Sequence, residues 1–277
     1  MKCQKLLFLF FAACLAGCAS NSVQTDALDY LSQGLKTNVN NNAPFIEQKI
    51  GHCGPATLAM AIAATGSESK IDEITSQVYS PQAKGSLQEN MISAARRQGF
   101  LAIPISGFSA LLKELQAGHV VIVFENLGIR WIPQWHYALV TGYDLKNKTL
   151  VMHTGPNPNQ YIDMAEFELS WKLTNYWALV VLPPGKVSAS SDEITQLQAA
   201  AVLEKMQNLE AAKKAYLGIL AHWPNSLIAR IGLGNVYYNS GDYWSAVRFL
   251  QTANKLYPDS IEARKNLQVA KDALGSD

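Results

Sequence analysis

The sequence predicts an α+β domain followed by an all-α region. Segments of helix-forming composition come first, and four segments rich in β-branched and aromatic residues follow them. This order is typical of helices that stand apart from an antiparallel sheet. A stretch rich in Pro, Gly and Ser at 184–195 then precedes segments of purely helical pattern. The α+β domain is therefore predicted over 43–183, the linker over 184–195 and the helical domain over 196–277.

The N-terminus resembles the signal of a bacterial lipoprotein. Its apolar run, Leu6–Ala16, has the length of a secretory-signal core and is too short to span a bilayer. The letters LAGC that end at Cys18 resemble a lipobox, which implies removal of 1–17 and acylation of Cys18. Ala19 implies an outer-membrane lipoprotein that faces the periplasm. The alternative is an ordinary signal peptide that contains a cysteine. The polar residues 18–42 are predicted to tether the lipid to the first domain.

The first domain is predicted to begin with three helices. The segment PATLAMAIAAT, which starts at Pro55, has helix-forming composition and no internal breaker. QENMISAARRQG predicts a second helix that ends at Gly99, and FSALLKELQAGH predicts a third that ends at Gly118.

Four strands are predicted after these helices, in the segments HVVIVFEN, WHYALVTGYD, KTLVMHT and YWALVVLP. The short LKNKT segment between the second and third predicts a hairpin connection. The four strands should therefore form an antiparallel sheet.

The C-terminal segment 233–260 resembles a tetratricopeptide repeat. Its small residues and prolines recur at that family's period of about 34 residues, since Pro224 precedes Pro258 and Ala212 precedes Ala246 by that distance. The resemblance implies about two repeats and a final helix. Such repeats bind a protein partner in a groove or brace a neighbouring domain. The alternative is an unrelated helical hairpin.

Cys53 is the one thiol left after the leader is removed and Cys18 is acylated, because Cys3 and Cys14 lie in the leader. An unpaired cysteine in an exported protein is a candidate reactive thiol. It lies between glycines just before the first predicted helix. A helix N-terminus lowers the pKa of a thiol, so this position predicts a nucleophile. The alternative is a buried cysteine that packs as a small hydrophobic residue.

A cysteine nucleophile needs a base, and His136 is the favoured candidate among the five histidines. It opens a predicted strand of apolar residues, where a polar ring is well placed to face a cleft. His52 adjoins Cys53 but should point away from it.

The segments PFIEQKIGHCGPATLAM and WHYALVTGYD together resemble the bacterial papain-like peptidases that process double-glycine leader peptides. The resemblance covers about 43–183 and implies a papain-like fold. It also implies that Cys53 attacks a peptide carbonyl to form a thioester, that His136 is the base, and that Gln48 helps to form the oxyanion hole. Peptides or proteins would be the substrates.

The third catalytic member departs from this family, which has an Asp before a Pro on the strand after the histidine. Here Gly155 precedes Pro156. The orienting role is open to His153, to Thr154 through its hydroxyl, or to Asn157, and His153 and Asn157 are favoured equally.

The loop before the base carries two tryptophans, Trp131 and Trp135, which are predicted to line the substrate cleft. No metal-ligand spacing or phosphate loop predicts a cofactor, and the net charge of +1 without a basic patch does not indicate nucleic-acid binding. The favoured function is a lipid-anchored cysteine peptidase, and the alternative is a peptidase-like binding or scaffold lipoprotein of weak or no activity. Transglutaminase-like or amidase chemistry, which uses a thiol in the same way, is a minor third option.

Overall fold

The computed structural model describes residues 24–49 and 51–276. The predicted leader, 1–17, and the predicted lipidation site, Cys18, lie outside the described residues. Within the described ranges, no helix is both long and apolar enough to cross a membrane.

One sheet of seven antiparallel strands forms the centre of the first domain, and a short two-stranded hairpin lies apart from it. The strands are, in chain order, β1 Asn38–Asn40, β2 Tyr79–Ser80, β3 Gly85–Ser86, β4 Leu101–Ser106, β5 Val121–Asn126, β6 Trp135–Asp144, β7 Thr149–Thr154, β8 Asn157–Asp163 and β9 Trp177–Leu182. The order across the sheet is β4-β9-β5-β6-β7-β8, and β1 pairs with the far end of β6, while β2 pairs with β3.

The helices are, in chain order, α1 Leu28–Leu31, α2 Cys53–Ala64, α3 Ile71–Val78, α4 Gln88–Arg97, α5 Gly107–Gln116, α6 Met164–Trp171, α7 Glu193–Lys205, α8 Leu209–His222, α9 Leu227–Asn239, α10 Tyr243–Leu256 and α11 Ile261–Leu274. The three predicted helices correspond to α2, α4 and α5, and the four predicted strands to β5, β6, β7 and β9. The predicted α+β domain with an antiparallel sheet, followed by a helical region, is therefore confirmed.

Helices cover both faces of the sheet, because alternate residues of each strand point to opposite sides. On β6, Tyr137 and Leu139 join a core with α2, α3 and α4, whereas Ala138 and Val140 join a second core with α5 and α6. The buried strands β5 and β9 therefore read as almost continuous apolar runs. Nine consecutive residues of α2, Gly54–Ile62, are buried, so this helix is a central element that fixes where its N-terminus lies.

The segment 24–42 packs against the first domain, so the prediction of a polar tether is wrong for these residues. The carboxylate of Glu168 accepts hydrogen bonds at 3.0 Å from the backbone N–H groups of Gln24 and Thr25. Leu28 is buried in the core, and β1 pairs with β6. The prediction failed because the segment is polar overall, whereas its attachment depends on one buried residue, Leu28, and on backbone pairing of Asn38–Asn40, which composition does not indicate.

The linker stretch is also held in place. Ser188 is buried and donates a hydrogen bond to Glu114 of α5, and Ser190 donates to the same carboxylate from its backbone N–H at 2.8 Å and its hydroxyl at 2.6 Å. The serines of this stretch indicate flexibility by composition. In the structure they donate the hydrogen bonds that the buried carboxylate of Glu114 requires.

The helical region shares the second core of the first domain. Leu203, Tyr216 and Leu233, from α7, α8 and α9, belong to the same buried cluster as Phe108 and Trp171. Within this cluster α7 contacts β4 of the sheet, and α8 and α9 contact α7.

Helix caps repeat along this region. Asn208 caps α8 and Asp242 caps α10, 34 residues later, while Ser226 caps α9 and Ser260 caps α11 at the same spacing. Each side-chain oxygen accepts a hydrogen bond from a backbone N–H in the first helical turn. The helices therefore begin at positions that the sequence repeats.

Candidate active site

Cys53 is the first residue of α2, and its side chain is partly buried where that helix meets β6. The backbone N–H groups of Tyr137, Gly54 and Cys53 itself are donors near its sulfur, and each lowers the pKa of the thiol. Two of these donors belong to the start of α2, where N–H groups lack helical partners. The donor from Tyr137 places the sulfur beside the residue that follows His136.

Gly54 allows the β2–β3 hairpin to cross the start of α2. A Cβ atom at this position would lie 2.4 Å from Oγ and 2.6 Å from Cβ of Ser86. No real side chain tolerates such distances, so a glycine beside the thiol lets this hairpin form a wall of the site.

His136 lies near the start of β6, and its ring nitrogen Nε2 lies 2.8 Å from Oγ1 of Thr154 at the end of β7. If Nε2–H donates to the Thr154 oxygen, Nδ1 is the unprotonated acceptor that a general base requires.

His153 and Asn157, the two favoured orienting residues, do not occupy that position. His153 is buried, with Nε2 3.1 Å from the backbone oxygen of Ala43, and its Nδ1 accepts from the backbone N–H of Asn159 at 3.1 Å. Asn157 is exposed at the start of β8. His153 was misjudged because strand alternation turns it to the other side of β7 from its neighbour Thr154.

Gln48 lies between α2 and the turn after β7. Its Oε1 accepts a hydrogen bond from the backbone N–H of Gly155 at 3.2 Å, and its Nε2 donates to Oγ1 of Thr57 at 3.2 Å. The hydroxyl of Thr57 in turn donates to the backbone oxygen of Cys53 at 2.5 Å. One N–H of the Gln48 amide is therefore used to fix its orientation, and the other is available to a ligand.

Gly155 occupies the position at which the resembled family has an aspartate. Its φ is +54°, in the left-handed region that favours glycine. Its backbone N–H and C=O both bond to Gln48, at 3.2 and 3.4 Å. The turn therefore holds the predicted oxyanion donor through its backbone.

Cys53, His136 and Gln48 line one cleft of about 820 Å³. Residues 83–89 form one wall, and 134–137 with Gly155 and Pro156 form the other. Trp135 lines this cleft and stacks on Phe124, with ring centroids 5.4 Å apart. Trp131 lies further out in the same loop, where 79% of it is exposed.

Burial sets the charge state of the two candidate catalytic groups. It raises the pKa of the Cys53 thiol above its usual value, and the three backbone N–H groups offset this only in part. Burial also lowers the pKa of His136. The prediction of a lowered thiol pKa is thus wrong, because loss of solvent outweighs the helix N-terminus. The pair rests as a neutral thiol and a neutral imidazole.

Thr57 and the hairpin residues 83–89 belong to the site but were not identified from the sequence. Thr57 lies four residues after Cys53, so helical spacing alone puts it beside the nucleophile. The hairpin carries no such signal. Over the described residues, no group of three or more His, Cys, Asp or Glu side chains could hold a metal ion.

Residues 40–179 match the model of the Peptidase_C39 like family, which is half of the chain. No curated protein matches the chain.

Solved structures of peptidase domains are similar to the chain at low identity. A double glycine motif protease from an AMS/PCAT transporter, crystallised with the leader peptide, is 22% identical over 52% of this chain and 94% of that one, with a TM-score of 0.40. The peptidase domain of Streptococcus ComA, a bifunctional ABC transporter, is 21% identical over 53% and 99%, with a TM-score of 0.41. A C39-like peptidase from Bacillus anthracis is 16% identical over 53% and 98%, with a TM-score of 0.45.

Proposed function

Because the chain belongs to the Peptidase_C39 like family, we propose that it is a cysteine peptidase with Cys53 as nucleophile and His136 as base. The observation that carries this proposal is that both side chains line one cleft. The backbone N–H group of Tyr137, the residue after His136, also lowers the pKa of the Cys53 thiol.

The reaction begins from the neutral pair. Nδ1 of His136 takes the thiol proton as the sulfur attacks the peptide carbonyl carbon, and Thr154 holds the other ring nitrogen throughout. The amide of Gln48 and the backbone N–H of Cys53 donate to the oxyanion. His136 then gives its proton to the leaving amine, which leaves a thioester on Cys53. Water hydrolyses the thioester, with His136 again as base.

Gln48 provides the sharpest test of this assignment. Reduced full-length protein is incubated with a mixture of unstructured peptides, and new termini are read by mass spectrometry. We expect Gln48→Ala to lower kcat/KM on a cleaved peptide by about 10²–10³-fold, because it removes one oxyanion donor. Gln134→Ala, which alters another glutamine of the cleft, is the matched control. Equal losses in both variants, or no cleavage by the unmutated protein, would contradict the proposal.

A peptidase-like binding module is the second candidate. It is favoured by the raised thiol pKa and by a neutral hydroxyl, rather than a carboxylate, on Nε2 of His136. This module would bind peptides in the same cleft and release them uncut. Peptide binding to the reduced protein without new termini or a covalent adduct would establish it.

We further propose that the protein is anchored to the bacterial outer membrane through an acylated Cys18, after removal of 1–17. The sequence pattern LAGC supports this. Cells that express the full chain should incorporate a palmitate analogue into it, and Cys18→Ser should abolish the label. Label that persists in this variant would place the acyl chain elsewhere.

The helical region is proposed to be a tetratricopeptide-repeat domain. The 34-residue spacing of its helix caps supports this, since that is the period of the family. Because α7 packs on the first domain, and α8 and α9 pack on α7, we assign these three helices a bracing role, and the exposed sides of α10 and α11 are available to a protein partner.

A further inference from the structure

We propose that Glu125 is the positioning residue that stabilises the charged form of His136. Its ionised carboxylate would do so from the neighbouring strand, across the β5–β6 pair. This inference rests on the proposed role of His136 as the base, but it is tested without a substrate.

The sheet register makes Glu125 and His136 direct neighbours. Glu125 of β5 is the direct partner of His136 of β6 in the antiparallel ladder. Directly opposed residues point to the same face, with Cβ atoms about 5 Å apart. His136 therefore has a carboxylate as its cross-strand neighbour, while its hydrogen-bond partner, Thr154, comes from the strand on the other side.

The carboxyl group of Glu125 is buried, and its hydrogen-bond donor is a neutral hydroxyl. Glu125 is 6% exposed, and its Oε1 accepts a hydrogen bond from Oγ of Ser170, on α6, at 2.7 Å. It lines a cavity of about 370 Å³ whose wall also includes Thr154. Thr154, the partner of His136, and Glu125, the partner of Ser170, thus line the same cavity.

A buried carboxylate is costly unless an opposite charge is near it. Burial raises the pKa of Glu125 to about 7, although the bond from Ser170 opposes this. Burial lowers the pKa of His136 because it disfavours the imidazolium. Its hydrogen-bond partner Thr154 is a neutral hydroxyl, which does not supply a compensating negative charge. The Glu125 carboxylate and the His136 imidazolium carry opposite charges, so each can stabilise the charged form of the other. When His136 takes the thiol proton, the anion of Glu125 stabilises the imidazolium.

Among the described residues, the polar groups that oppose Glu125 in the ladder or line its cavity are His136 from β6, Asn126 from β5, Thr154 from β7, and Ser170 and Glu166 from α6. Glu166 is exposed on the wall of the same cavity. Glu166 is thus a second carboxylate on this cavity, but it does not lie opposite His136 in the sheet.

The test measures His136 directly. Full-length protein labelled with ¹⁵N-histidine is titrated by NMR, and the His136 signal is identified by its loss in His136→Ala. We expect Glu125→Gln to lower the pKa of His136, because it removes the anion. The rate of Cys53 alkylation by iodoacetamide at pH 8 should fall about tenfold or more, since a charge within about 4–6 Å shifts a pKa by about 1 to 3. Glu125→Asp, which keeps the charge, should retain most of the His136 pKa and most of the rate of Cys53 alkylation.

Two further variants keep the test decisive. Glu166→Gln is the matched control and should change neither measurement. Ser170→Ala keeps the charge but removes its hydrogen bond, so the pKa of Glu125 should rise and the alkylation profile should shift to higher pH. An unchanged His136 pKa in folded Glu125→Gln, or an equal change in Glu166→Gln, would overturn the inference. If the pKa shifts but no peptide is ever cleaved, the inference stands and the proposed function fails.

Discussion

Cys53→Ala should abolish both peptide cleavage and labelling by a thiol-directed covalent inhibitor. Cleavage should fall by more than about 10⁴-fold, because the nucleophile is lost while cleft and oxyanion donors remain. His136→Ala is the informative companion, since it keeps the thiol and removes the base. It should lose cleavage to a similar extent and retain slow labelling at alkaline pH. Both outcomes are read by intact-mass spectrometry of the reduced protein.

The pH dependence of labelling adds a second signature. Because burial raises the pKa of the Cys53 thiol, the rate of alkylation should keep increasing into the alkaline range beyond that of an ordinary cysteine. A plateau already reached at acidic or neutral pH would show a preformed thiolate–imidazolium pair, contrary to the neutral resting pair. Residual cleavage in Cys53→Ala would place the nucleophile elsewhere.

Glu114→Ala should lower the free energy of unfolding by about 3 kcal/mol or more, the range for breaking a buried charged network. The side chain is fully buried. It accepts hydrogen bonds from Ser188 and Ser190, and Nδ1 of His119 lies 2.7 Å away. Its loss leaves four donors without an acceptor, because the backbone N–H of Ser190 also bonds to it, and releases the stretch that leads into α7. Urea unfolding measures the change, and Glu68→Ala, at an exposed loop residue, should have little effect.

The contribution of Glu114 should depend on pH in a defined direction. Burial raises the pKa of this carboxyl, but the hydrogen bonds from His119, Ser188 and Ser190 outweigh burial and leave the pKa below its usual value. A carboxylate with a lowered folded-state pKa stabilises above its ordinary pKa of 4.5 and loses that stabilisation as pH falls through the folded value. The difference in stability between wild type and Glu114→Ala should therefore shrink below about pH 4. A difference that is constant down to pH 3 would contradict this account.

Much of the fold was predictable from local pattern. Helix-forming composition and glycine stops located α2, α4 and α5, and the β-branched segments located β5, β6, β7 and β9, because these signals act over one element at a time. In the first domain, β1, β2, β3, β4 and β8 and the helices α1, α3 and α6 were not predicted. In β8 every residue but Ile162 is exposed, so no alternation of polar and apolar residues marks it.

By itself, the sequence determined the class of the protein and the identity of three candidate site residues. Cys53, His136 and Gln48 follow from a glycine-flanked thiol at a helix start, a polar ring at a strand start and a family resemblance. These are properties of short segments, which is why they are readable without the fold.

Only the tertiary structure decided what surrounds those residues. Thr154 rather than His153 or Asn157 reaches His136, the thiol pKa is raised rather than lowered, and Glu125 becomes the neighbour of a histidine eleven residues away. Strand register and burial set all three. The register depends on pairing between strands, and burial depends on everything packed around an atom, so neither is encoded in the residues next to it.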